Sequence, residues 1–185
     1  MQGITHVAGG LAAAILANKT GLIDGNVANY ALTMLGATLP DLDAGEAIAT
    51  KPSELLPFKL GALPIFRPLD AATGIVAKLC QAVLGHRGIL HYPLTYVTLY
   101  GVWWIAAQWG RLPAWSAEVA PYLPAVLIGI ASHIALDWLT TRSIPLFAPL
   151  SFRVIGLPLR IKTGGILEGV FSLVLCFAIF YLWRL

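Results

Sequence analysis

Between Gly88 and Gly110 the chain runs for 23 residues without one Asp, Glu, Lys or Arg. A helix needs about 20 such residues to cross the ~30 Å hydrocarbon core of a bilayer. Val119 to Leu136 is uncharged for 18 residues, and Gly169 to Trp183 is apolar for 15, extended backward through Gly165, Ile166 and Leu167. All three read as membrane spans. Met1 to Asn18 and Gly25 to Pro40 also lack charge, but about 16 helical residues rise only ~24 Å. This first pair either thins the bilayer or forms a hairpin sheltered by the other helices.

Composition closes off the soluble alternatives. Hydrophobic residues make up 58% of the chain and charged residues only 11%, against about 25% charged in soluble domains. So few charges could not cover a surface in water. A disordered chain, a nucleic-acid-binding tail and an ordinary cytosolic enzyme are therefore excluded, and no nucleic-acid partner is expected. The length of 185 residues suits a single domain over residues 1–185. The expected fold is all-α: a polytopic helical membrane protein of about five membrane helices, the first two short. The Asp41–Arg87 stretch holds Pro52, Pro57, Pro64 and Pro68 among scattered charges. It reads as an irregular cytoplasmic loop region carrying short interfacial helices. One of these is expected over Pro68–Leu84, with Leu69, Ile75, Val76, Leu79 and Val83 as its apolar face.

Charge placement sets the sidedness. Lys51, Lys59, Arg67, Lys78, Arg87, Arg142, Arg153, Arg160 and Lys162 fall on one side, and Lys19, Arg111 and Arg184 on the other. The bias puts the larger group in the cytoplasm, with the N-terminus inside and the C-terminus outside. No Lys or Arg precedes Lys19, so the basic start of a cleaved signal peptide is missing and the first segment is expected to be retained. Cys80 and Cys176 form no disulfide framework.

On this topology the titratable residues gather. His6 opens the first segment, Asp41 and Asp43 end the second, and His86 and His91 stand at the mouth of the third. His133 and Asp137 end the fourth, and Glu168 opens the fifth. Four histidines and four carboxylates thus reach one membrane face from five places in the chain. His133 and Asp137, four apart on a helix, share a face. Imidazole with carboxylate and no thiolate suits zinc, manganese or iron. Eight candidates exceed what one tetrahedral zinc takes, which favours two ions. Glu168 reads equally well as a ligand or as a carboxylate drawn to the positive end of its own helix.

At these residues the chain resembles the YdjM-like family of bacterial inner-membrane metal-dependent hydrolases, some of which carry a LexA-binding label. The resemblance runs through Thr5-His6, Leu39-Pro40-Asp41-Leu42-Asp43, Gly85-His86-Arg87-Gly88 with His91, and Ser132-His133 with Leu136-Asp137 and Thr140. It continues through Ile144-Pro145-Leu146, Ala148-Pro149, Arg153, Leu157-Pro158 and Leu167-Glu168. The chain departs from the pattern at Ala44-Gly45, where family members often have His-Pro, and at Ile89-Leu90, where they often have Phe-Thr.

The resemblance implies a metal-dependent hydrolase in the bacterial inner membrane. His6, Asp41, Asp43, His86, His91, His133 and Asp137 are the expected ligands of two divalent ions, zinc foremost. Glu168 is a ligand or general base, and Arg87 joins it at the reacting centre. Arg142 and Lys162 would hold an anionic group of the substrate. A basic site at the membrane face favours a phosphoester of a lipid or another amphiphile. Membrane lipids are then the surroundings and the source of substrate. Two other classes stay open: a metal-ion transporter, and a non-catalytic adaptor docking a cytosolic regulator. The oligomeric state is not legible.

Overall fold

The computed structural model describes residues 1–43, 64, 67–84, 88–141, 144–154 and 161–184, and among them the fold is all-helical with no strand. Helix α1 (Gly3–Lys19) and helix α2 (Val27–Gly36) are joined by a turn in which Gly21 takes a φ of 72°. Asn26 caps α2, its side chain accepting a hydrogen bond from the Asn29 N–H at 2.8 Å. A 3₁₀ turn over Leu39–Asp43 follows. Helix α3 (Arg67–Leu84) packs against that turn.

A second 3₁₀ turn (Ile89–His91) leads into α4 (Pro93–Gln108). Then come α5 (Trp115–Val119), a short 3₁₀ segment (Ala120–Tyr122), α6 (Leu123–Trp138) and α7 (Ile166–Arg184). Among the described residues, two stretches are long and apolar enough to cross a membrane: the continuous helical run Trp115–Trp138, of 24 residues, and Ile166–Arg184, of 19.

The uncharged run from Gly88 to Gly110 yields a helix of only 16 residues. Proline is the reason at one end: Tyr92, before Pro93, is held extended at ψ 116°, as residues preceding proline are. Gly110 closes the other end at φ 61°. The expected span over Val119–Leu136 instead starts four residues earlier, at Trp115. The helix expected at Pro68 is present and begins at Arg67. Its Ile75, Val76 and Leu79 are exposed, as an interfacial face requires, whereas the side chains of Leu69 and Val83 lie outside the described residues.

The centre of the molecule is α1 with α2 and α6 packed on it, and α7 lies against α1. The helices approach closely because small residues line the contacts. A Cβ on Gly129 would overlap the Thr33 carbonyl, and one on Gly36 the Val126 carbonyl. Ala14, Ala17, Ile23 and Ala125 fill the space at one end, and Ile130, Ile134 and Ile144 another part of it. The short α1–α2 pair is thus a hairpin sheltered by its neighbours: Thr5, His6, Gly9, Gly10, Ala12, Ala14, Ile15 and Ala17 are all buried. α7 keeps its apolar side chains outward, with Leu173, Val174, Phe177 and Phe180 exposed.

Candidate metal centre

The packing of α1, α2 and α6 decides which side chains meet. His6 comes from the first turn and a half of α1 and His133 from α6, and their rings stack with centroids 3.8 Å apart. Gly9 lets α1 come close to α6 at Leu136, and Gly36 and Gly129 let α2 and α6 touch backbone to backbone. The same approach sets the Ala37 carbonyl 2.7 Å from His133 Nδ1. Nδ1 donates its proton there, which fixes the tautomer and leaves Nε2 as a lone-pair donor. One helical turn on, Asp137 points into the same space, and the 3₁₀ turns of Asp41 and His91 close it from the other side.

Two donor groups meet at His133. His91 Nε2 lies 3.6 Å from Asp41 Oδ1 and 4.0 Å from Asp137 Oδ2, and His133 Nε2 lies 3.8 Å from each of those oxygens. The ligands of a tetrahedral ion with bonds of ~2.0–2.1 Å stand about 3.3–3.4 Å apart, so these four pairs stand about 0.2–0.7 Å wider than ligands of one such ion. Asp137 uses its other oxygen elsewhere: Oδ1 is 3.2 Å from His6 Nε2 and accepts a hydrogen bond from the Met1 amino group at 2.7 Å. Two overlapping groups result, His6–His133–Asp137 and Asp41–His91–His133.

Burial supports a cation here. His6, His91, His133 and Asp137 are at most 1% exposed. Among the described residues, His133 Nε2 and His6 Nδ1 are buried without a hydrogen-bond partner. Such a group costs about 1–3 kcal/mol, and a bound ion would satisfy His133 Nε2. Asp41 alone of the five reaches solvent, at 18%, and so marks the open side. Burial pushes its carboxyl pKa up; the imidazoles of His91, His133 and His6 outweigh that and hold it below its ordinary value.

Glu168 stands apart from both groups. Its Oε1 accepts hydrogen bonds from the Gln2 N–H (2.6 Å) and the Thr5 hydroxyl (3.1 Å), and its Oε2 one from the Gly164 N–H (2.7 Å). The carboxylate therefore ties the start of α1 to the start of α7, using donors that the helix N-terminus leaves unpaired. Lys162 is exposed, next to Ile161, which pairs with Leu139 and Thr141 just beyond α6. His86, Arg87, Arg142 and the side chain of Asp43 lie outside the described residues. Two contributors escaped the sequence reading: the Ala37 carbonyl and the Gln2–Thr5–Gly164 donors to Glu168. Gly129, one turn before His133 on the same helix face, is the one sequence signal that a backbone comes close to that histidine.

The chain is 27% identical over 174 residues to the protein named Uncharacterized protein YvsG of Bacillus subtilis (strain 168), covering 91% of this chain and 85% of that one. No solved structure matches it. The model of the YdjM inner membrane protein family matches residues 1–185. From end to end, then, this chain belongs to the YdjM inner membrane protein family.

Proposed function

We propose that this protein is a multi-pass inner-membrane hydrolase that uses divalent metal to cleave a phosphoester of a lipid or similar amphiphile at the cytoplasmic face. The observation that carries the reading is two overlapping donor groups, His6–His133–Asp137 and Asp41–His91–His133, that share His133 and are linked by His–Asp separations of 3.2–4.0 Å. Because the two oxygens of Asp137 face different histidines, the set suits two ions sharing that carboxylate, zinc first by donor chemistry.

Asp41, His91, His133, Asp137 and His6 would hold a divalent ion, and the chemistry it would supply when bound is Lewis acidity. The chain's own residues do the rest. His133 is locked as an Nε2 donor by Ala37, and Asp137 is fixed one turn later on the same helix. Asp41 borders the accessible side, where a substrate enters and where a proton can leave to solvent. Glu168 acts as a positioning residue, holding α1 and with it His6. The basic residues Arg87, Arg142 and Lys162, flanking these ligands in the chain, would meet an anionic head group. The nine-to-three distribution of Lys and Arg supports the cytoplasmic placement. Five membrane segments follow if the short α1–α2 hairpin and α4 enter the bilayer beside the two longer helices.

The test is elemental analysis of detergent-purified protein beside His133→Ala and Asp41→Ala, followed by assay on phospholipid vesicles. About two ions per chain in the wild type are expected, with loss in both variants and phosphate-ester cleavage in the wild type only. A wild type that holds no metal after reloading overturns the hydrolase reading.

A further inference from the structure

Helix α6, which carries His133 and Asp137, and α4, which follows the turn of His91, also enclose an apolar space. α4 and α6 meet only sparsely, and between them runs a groove of about 450 Å³ lined by Pro93, Tyr96 and Tyr100 on one wall and Ile130, Ile134 and Trp138 on the other. It continues into a second compartment of about 230 Å³ that shares Tyr96, Tyr100 and Ile130 and reaches Trp103 and Leu123. Neither compartment has a charged residue in its wall.

Its ends are informative. At one end stand Pro93, two residues after His91, and Trp138, next to Asp137, so this end lies at the level of the donor cluster. At the other end is Leu123, fifteen residues back along α6, or ~22 Å at 1.5 Å per residue. One leaflet of hydrocarbon is about 15 Å deep. The groove is therefore long enough for a single extended chain whose polar end lies at the cluster. The walls are tied to the cluster as well: the Tyr96 hydroxyl donates to the Leu90 carbonyl at 2.6 Å, bracing the groove against the turn that carries His91. Leu39, which opens the turn bearing Asp41, packs with Tyr96 and Leu146 around Ile130 and Ile134.

We infer that the α4–α6 groove seats one acyl chain of a membrane phospholipid whose phosphate head group lies at the His–Asp cluster. The inference rests on the hydrolase reading for the fate of the head group, and it narrows the substrate to a lipid held by its tail from the side of the bilayer. Occupation of such a channel by hydrocarbon suits its wholly apolar and aromatic walls. Ala131 and Ala135 line it and are exposed, so a large side chain can fill the groove there without invading the core.

The full chain in lipid nanodiscs would be irradiated with a phosphatidylglycerol carrying a diazirine on one acyl chain, and the adducts mapped by mass spectrometry. Metal content would be measured on the same sample. Adducts concentrated on Tyr96, Tyr100, Leu127 and Ile130, and reduced at least fivefold in Ala131→Trp and Ala135→Trp at unchanged metal content, uphold the acyl site. Adducts spread evenly over the exposed faces of α4 and α7, or insensitive to both tryptophans, overturn it. So does disulfide cross-linking between two chains carrying Val97→Cys on the exposed face of α4, which would make the groove a contact between copies. The labelling map needs no turnover, so failure of the metal measurement overturns the hydrolase reading without being confused with failure of the groove.

Discussion

The α1–α2–α6 kernel and the outer helices α4 and α7 are built from equally apolar sequence, yet they behave as different materials. In the kernel, glycines bring backbones into contact and polar side chains are buried: Thr33, His133 and Asp137 are each no more than 1% exposed. On α7, Glu168 alone is buried. On α4 no residue is buried at all. Hydrophobicity alone therefore does not say which helix makes the core in a membrane protein. Small residues and fixed hydrogen bonds do, because lipid offers apolar side chains as good a surrounding as protein does.

That contrast can be broken most forcefully at Gly129. Gly129→Val drives a side chain into the Thr33 carbonyl and should cost about 3 kcal/mol, the upper end of overpacking penalties, with the metal lost. Gly101→Val on α4, where an added Cβ meets nothing within 4 Å, should leave thermal unfolding in detergent unchanged. Equal effects at the two glycines would erase the distinction between kernel and periphery.

Next in size is the donor set. His133→Ala and Asp137→Asn should weaken metal retention at least as much as the ~100-fold upper range for loss of an outer hydrogen-bond partner, read by competition with a chelator. A smaller effect is expected at the tie between α1 and α7. Glu168→Gln should lower stability by about 2 kcal/mol, the size of hydrogen bonds to a charged group, with the metal retained. Metal lost at unchanged stability would instead make Glu168 a ligand. Smallest of all, Phe177→Ala on the exposed face of α7 should shift stability by less than ~0.5 kcal/mol.

Much of the site is legible in the sequence. His6, Asp41, His91, His133 and Asp137 were all readable as charge-bearing or imidazole residues at the ends of uncharged runs, and the fold brings the five together. The amphipathic period of α3 was legible for the same reason: its apolar residues repeat on one face. Helix lengths were less so. Lack of charge does not reveal that Pro93 forbids helix through Tyr92, or that helical structure tolerates Pro121 and runs on from Trp115 to Trp138. Backbone partners were not legible at all. Any residue has a carbonyl, so nothing in the letters singles out Ala37 as the acceptor for His133 or Gln2 and Gly164 as the donors for Glu168.

The scattering of the donors along the chain has a consequence for biogenesis. His6, Asp41, His91, His133 and Asp137 come from four separate elements, and the last of them is 136 residues from Met1. At ~5–20 residues per second, the ribosome spends several seconds after making His6 before Asp137 exists. Throughout that time the early histidine is in a nascent chain that cannot yet close around an ion. On the proposed metal reading, loading would be a late event, after α6 has been inserted and docked, and a chain stalled before that helix should leave the ribosome without metal.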